Sequence, residues 1–224
     1  MAEDRDGEGI SYSGQVREKL VQAKQDWARD GRLLTGEPAP GRRLPPGQHL
    51  VSDWPVLDLG ITPNIPTKEW NLGVGGAVER PLNWNWEQFR AQPQVTMTSD
   101  IHCVTAWSCY DNVWEGVSTR HFLSVVNPRP EAKFVVLRSY DGYATNLPLE
   151  RFAATDALIA HSWNGQPLSR EHGGPVRLIV PKLYLWKSAK WIRQITFLEK
   201  DAPGYWEVRG YHNEGDPWTE DRYG

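Results

Sequence analysis

The chain of 224 residues has only two cysteines, a net charge of -3 and no apolar run long enough to span a membrane. Two cysteines make one possible pair, so a disulfide lattice is excluded. On a single extended strand Cys103 and Cys109 would lie about 20 Å apart, and a bridge would need a tight turn between them. No CxxC, CxxCH or Cys/His cluster occurs, which argues against zinc, iron–sulfur and c-type haem sites in this chain. There is neither GxGxxG nor GxxxxGK[ST], so neither a dinucleotide fold nor a P-loop is indicated. Without a basic field, generic nucleic-acid binding is not expected, although a local basic pocket stays open. The opening MAEDRDGEGISYSG is acidic and has no apolar core. It reads as neither a secretory signal nor a membrane span, and a cytoplasmic location is expected.

Tryptophan, by contrast, is abundant, with 12 residues. Tryptophans can wall a cofactor cleft, but large aromatics also simply fill cores. Residues 1–12 read as disordered. Val16, Leu20 and Trp27 then mark one face of an amphipathic helix to about Arg29, with Val21 widening the stripe. Its expected role is to pack on the body of the protein. The Pro- and Gly-rich segment GEPAPGRRLPPGQ, residues 36–48, reads as an extended tether. The expected organisation is therefore 1–53 as disordered segment, helix and tether, followed by one domain over 54–224.

From Trp54 onward short strands dominate. Trp70, Leu72 and Val74 alternate up to a Gly75-Gly76 turn. Val95, Met97, Ile101 and Cys103 share one parity, which places Cys103 on an apolar strand face and His102 on the other. Residues 134–137, 176–180 and 192–197 are further apolar runs of strand length, and short helices are expected at 86–91, 117–125 and 149–154. Strands interleaved irregularly with short helices suggest an α+β or mixed α/β domain.

Four segments hold residues suited to chemistry. Cys103 could be a nucleophile, a soft metal ligand or a buried core thiol. His172 and Arg177 bracket a Gly-Gly-Pro turn. Arginine there can grip a phosphate, or it can sit in a surface ion pair. Lys187, Ser188 and Lys190 crowd into one loop between Trp186 and Trp191. That loop is either an anion cradle or a solvated basic turn. Two prolines fix the backbone around Asn64, which on its own is a loop asparagine.

In order along the chain, IHCVTAWS (101–108), WEG (114–116), HGGPVRLIVP (172–181), KSAKWI (187–192) and the tail GYWEVRGYHNEGDPW (204–218) resemble the molybdopterin domain of the sulfite oxidase family. The likeness covers roughly residues 54–224. It implies a single mixed-sheet domain with a mononuclear Mo-molybdopterin centre, the metal being held by one dithiolene and by Cys103. It also implies pterin and phosphate contacts from His172, Arg177, Ser188, Ala189 and Lys190, with Asn64 and Ser139 close to the pterin. Cys109 falls outside the ligand position.

Animal and plant members carry Cys-Ala-Gly-Asn-Arg where this chain reads Cys-Val-Thr-Ala-Trp. The pattern here is closer to the bacterial branch containing the periplasmic methionine-sulfoxide-reducing enzyme. No arginine stands beside Cys103, so sulfite is not the expected substrate, and reduction of an S-oxide or N-oxide is favoured. The chain leaves no room for the immunoglobulin-like dimerisation domain, so a monomer is expected. It shows no second redox centre, so a separate electron-transfer partner is implied, along with a small-molecule substrate. The competing readings are a non-catalytic molybdopterin carrier, a sulfite-oxidising enzyme proper, and a Cys/His thiol hydrolase built on Cys103 and His102.

Overall fold

The computed structural model describes residues 14–30 and 43–224. The expected disorder of residues 1–12 and the first part of the tether, 36–42, lie outside them. In chain order the strands are β1 (His49–Leu50), β2 (Asn71–Gly76), β3 (Leu82–Asn85), β4 (Val95–His102), β5 (Trp107–Ser118) and β6 (Phe134–Ser139). They continue with β7 (Ala144–Pro148), β8 (Leu158–Trp163), β9 (Gln166–Pro167), β10 (Arg177–Ile179) and β11 (Ile192–Leu198). The helices are α1 (Gly14–Asp30), α2 (Trp86–Arg90), α3 (Thr119–Val126) and α4 (Leu149–Phe152).

Two mixed sheets carry the fold, as the α+β expectation requires. One runs β1-β5-β8-β10, with β4 paired to β5 and β9 to β8; the other runs β3-β2-β11-β6-β7. The β1/β5 and β2/β11 pairings are parallel and the rest are antiparallel. The alternation at Trp70, Leu72 and Val74 buries all three on one face of β2. Together with Phe122, Leu137 and Phe197 they form the core beneath the second sheet. A second cluster, rich in tryptophan, gathers Trp54, Trp107, Trp114, Trp186 and Trp206 around Cys103.

Two local differences from the sequence reading have clear causes. The helix expected over 117–125 begins at Thr119, because the Ser118 hydroxyl accepts from the His121 N–H and caps it there, leaving Val117 in β5. Strand β4 ends at His102, so Cys103 is not a strand residue. It opens the hairpin turn, with its N–H donating to Trp107 O at 2.8 Å and Ala106 N–H returning to Cys103 O at 3.0 Å. That turn supplies the chain reversal that a bridge would need, and Ile101 lies opposite Cys109 across the ladder, yet both thiols are free.

The glycine of the WEG motif sits where β5 and β8 approach closely. A Cβ on Gly116 would lie 2.1 Å from Ile159 O, next to a register shift between Glu115 and Gly116. Helix α1 covers the span that the sequence suggests, but its contact face is turned toward Val21, which is buried, while Trp27 is 42% exposed.

Candidate cofactor site

One cleft, about 860 Å³ when the solvent at its open mouth is counted, gathers residues from across the chain. Its walls include Cys103, His172, Arg177, Ser188, Ala189 and Lys190. Six of the residues singled out in the sequence therefore meet in one cavity, although they are separated by up to 87 positions. Trp54, Trp107, Trp186, Trp191 and Trp206 line it too, so the tryptophan surplus both walls the cleft and fills the core.

Arg177 opens β10 and is only 3% exposed. Its guanidinium donates to the backbone carbonyls of His172 and Ser188, each at 2.8 Å, and to Leu178 O at 3.3 Å. It also lies 4.9 Å from the Trp54 ring. Among the described residues no carboxylate pairs with it, so the surface ion pair of the bland reading is overturned. Burial alone pushes its pKa down to about 9, which still leaves it charged at neutral pH. A buried cation without a counter-charge is costly, and here it faces a cavity.

The turn that leads into Arg177 is shaped by its glycines. Gly173 has φ +102°, and a Cβ there would meet the Lys190 Cβ at 2.9 Å. The missing side chain thus lets the His172 turn close on the Lys190 loop. His172 stacks on Trp54 with centroids 4.0 Å apart, and its ring nitrogens reach Trp54 O and the Ser169 hydroxyl, each at 3.1 Å. Burial lowers its pKa, and the Arg177 and Lys190 charges add to that.

The Lys187–Lys190 loop divides its charges. Lys187 turns inward, is fully buried and pairs with Glu207 at 2.6 Å, also donating to Asn146 O. It is a structural lysine and does not line the cleft. Ser188 Oγ accepts from Val180 N–H at 2.9 Å, which ties the loop to the end of β10. Lys190 donates to Leu57 O and Glu171 O at 2.9 and 2.8 Å and sits 4.3 Å from the Trp191 ring. Burial, reinforced by the Arg177 charge, pulls its pKa down to about 7.

Cys103 is buried, with its sulfur 3.2 Å from the Thr105 hydroxyl. Burial raises its pKa; the Thr105 hydrogen bonds and the charges of Lys24 and Arg222 oppose that rise. His102 points elsewhere, 2.8 Å from the Ser108 hydroxyl, and does not line the cleft. That geometry removes the Cys/His hydrolase reading.

Two candidates stand apart from the cavity. Asn64 is exposed and does not line it. Ser139 is buried at the end of β6, and among the described residues its hydroxyl has no hydrogen-bond partner. Arg138 is exposed on β6. Tyr143 also lines the cleft, whereas Tyr140 does not. The sequence reading missed Lys24, Asp58, Thr105, Trp206 and Tyr211, which also line it. Tyr211 and Trp206 fall within the quoted tail, but Lys24 sits on a helix that offered no chemical signal.

Comparison with known proteins finds the model of the oxidoreductase molybdopterin binding domain matching residues 59–206. An uncharacterized oxidoreductase of Bacillus subtilis, YuiH, is 44% identical over 182 residues, covering 81% of this chain and 92% of that one. The protein-methionine-sulfoxide reductase catalytic subunit MsrP of Campylobacter jejuni is 26% identical over 172 residues, 66% of this chain and 56% of that protein. The sulfane dehydrogenase SoxCD of Paracoccus pantotrophus superposes with a TM-score of 0.57 at 23% identity, over 62% of this chain and 40% of that one, a likeness of fold. This chain thus spans nearly all of the Bacillus relative and about half of MsrP.

The residues present fit the cofactor these matches imply, since a phosphate would supply the counter-charge that Arg177 and Lys190 lack. Among the described residues no group of three or more His, Cys, Asp or Glu could hold a metal. The chain belongs to the oxidoreductase molybdopterin-binding domain family, of the sulfite oxidase type, and is a molybdopterin-dependent oxidoreductase whose cofactor is Mo-molybdopterin.

Proposed function

We propose that this protein carries out oxygen-atom transfer on a small substrate at a molybdenum held by Cys103 and a pterin dithiolene. The observation that carries the reading is the single cleft shared by the Cys103 thiol and the unpaired Arg177 guanidinium. The bound cofactor would supply a metal able to exchange an oxygen atom and two electrons.

The chain's own residues would do the rest. Arg177 and Lys190 would hold the pterin phosphate, with Ser188 and Ala189 forming the loop around it. His172, fixed against Trp54, would flank the pterin. Thr105 would donate to the Cys103 sulfur and favour its thiolate. The tryptophan walls would keep bulk water from the reacting face. Asn64 and Ser139 do not line the cleft, and neither is assigned a contact with the pterin. Electrons would pass to or from a separate protein.

Protein purified from a molybdenum-replete host is expected to contain molybdenum and pterin in equal amounts. Folded protein that lacks both would end this reading. Assays with sulfite and with S-oxides fix the direction of transfer, and brisk sulfite oxidation would reverse the expectation of reduction.

A further inference from the structure

Helix α1 lies outside the residues matched by the family model, yet it reaches the cofactor cleft. Val21 packs into the same apolar cluster as Cys103 and Trp54, Gln25 donates to Arg209 O at 3.2 Å, and Tyr223 donates back to Gln25 O at 2.7 Å. Lys24, three residues after Val21 and directly before Gln25, lines the cleft together with Cys103.

The Lys24 ammonium donates to the Asp58 backbone carbonyl; among the described residues it makes no other hydrogen bond and no carboxylate oxygen lies within ion-pair distance of it. An ammonium has three donors, so two remain for whatever occupies the cavity. The cleft wall carries three basic side chains, Lys24, Arg177 and Lys190, and two carboxylates, Asp58 and Asp141. The side chain is half-buried, and burial lowers its pKa while Asp58 and Cys103 oppose that.

We infer that Lys24 is a substrate-binding residue, whose ammonium holds the negatively charged oxygen of a small oxyanion at the face of the cleft that Cys103 occupies. The inference rests on the proposed function above. The positive charge absent beside Cys103 in sequence arrives from the N-terminal helix, so an oxyanion such as sulfite is again admissible. Arg177 and Lys190, with the Ser188 loop between them, already provide for a phosphate. The shared chemistry leaves two sources for the anion at Lys24, the substrate or the pterin phosphate, and these separate experimentally.

The test uses the full-length holoprotein, with inorganic sulfate as the probe, followed by quenching of the cleft tryptophans and by inhibition of turnover. Lys24→Met is expected to retain wild-type molybdenum and pterin while its sulfate dissociation constant rises about tenfold or more, or ~1.4 kcal/mol. Lys24→Arg should stay within about threefold of wild type, as a retained cation implies. Gln25→Ala, which loosens the same helix without removing charge, should also stay close to wild type.

Unchanged sulfate affinity in Lys24→Met would overturn the inference, as would an equal loss in Gln25→Ala or no sulfate binding by the wild type. Loss of pterin from Lys24→Met with sulfate affinity intact would overturn it in favour of the phosphate. The fluorescence titration works whether or not metal is bound. Wild-type protein without molybdenum and pterin would therefore refute the proposed function separately, while the Lys24 dependence of sulfate binding is still read.

Discussion

Arg177 donates to the carbonyl oxygen of Ser188 at 2.8 Å, joining the first residue of β10 to the loop that precedes β11. One buried side chain thereby sets the shape of the loop and places a positive charge in the cleft beside it. Arg177→Ala should break both. Three carbonyls would lose a charged donor, at roughly 1–3 kcal/mol each, partly offset because an unpaired buried charge also disappears. We expect a modest fall in melting temperature but pterin content below about a tenth of wild type, measured by fluorescence of the oxidised pterin. Normal pterin occupancy would contradict the assigned role.

Lys190 gives a pH dependence whose sign can be worked out. Burial holds its pKa down at about 7, against an ordinary 10.5. Between these values the unfolded chain holds a proton that the folded chain lacks, so this group makes stability rise with pH across that window. A bound anion favours the charged lysine and opposes the shift. Sulfate should therefore raise the melting temperature of apoprotein more at pH 6 than at pH 9. Arg177, Lys24, Asp58 and Asp141 act on the same ammonium. Lys190→Met should flatten the difference, and an equal sulfate effect at both pH values would argue against it.

Gly173 and Gly142 offer a controlled comparison. Both have positive φ, +102° and +84°, but a Cβ would meet Lys190 at 2.9 Å in the first case and nothing within 4 Å in the second. Gly142→Ala should cost only the backbone strain, about 1–2 kcal/mol. Gly173→Ala should cost more and should also lower pterin content, because it pushes the His172 turn away from the Lys190 loop. Equal denaturation midpoints with full pterin in both variants would show that the close approach is unimportant.

The Lys187–Glu207 pair is almost wholly buried, with side chains 0% and 2% exposed. Glu207 also accepts from Thr145 and Trp186, so it holds a tryptophan of the cleft wall in place. Lys187→Met should destabilise by about 3–5 kcal/mol, since it leaves a carboxylate buried without its partner. The double variant with Glu207→Gln should recover part of that loss, as read in urea unfolding. No recovery would mean that the two charges do not act as a pair.

Much of this was legible in the sequence where a local pattern carries it. The alternation of Trp70, Leu72 and Val74, and the apolar runs that became β6, β10 and β11, need only periodicity. The segments around Cys103, Arg177 and Lys190 were found because each combines chemistry with a turn. What local pattern does not carry is the division of labour within a segment. Lys187 and Lys190 look alike in the sequence, yet one turns into the core toward Glu207 and the other into the cleft. Cys103 was placed on a strand by parity, while the hydrogen bonds of its turn put it just beyond one. Lys24 was invisible because its meaning comes from where α1 docks, through contacts far away in sequence.

The central claim is that Cys103 is the protein's ligand to molybdenum. Molybdenum K-edge X-ray absorption on the purified wild type and on Cys103→Ser tests it most directly. The wild type should show three sulfur neighbours, two from the dithiolene and one from the thiolate. The variant should keep its fold and pterin, show two sulfur neighbours, and lose turnover. An unchanged sulfur shell with activity intact in Cys103→Ser would contradict the account.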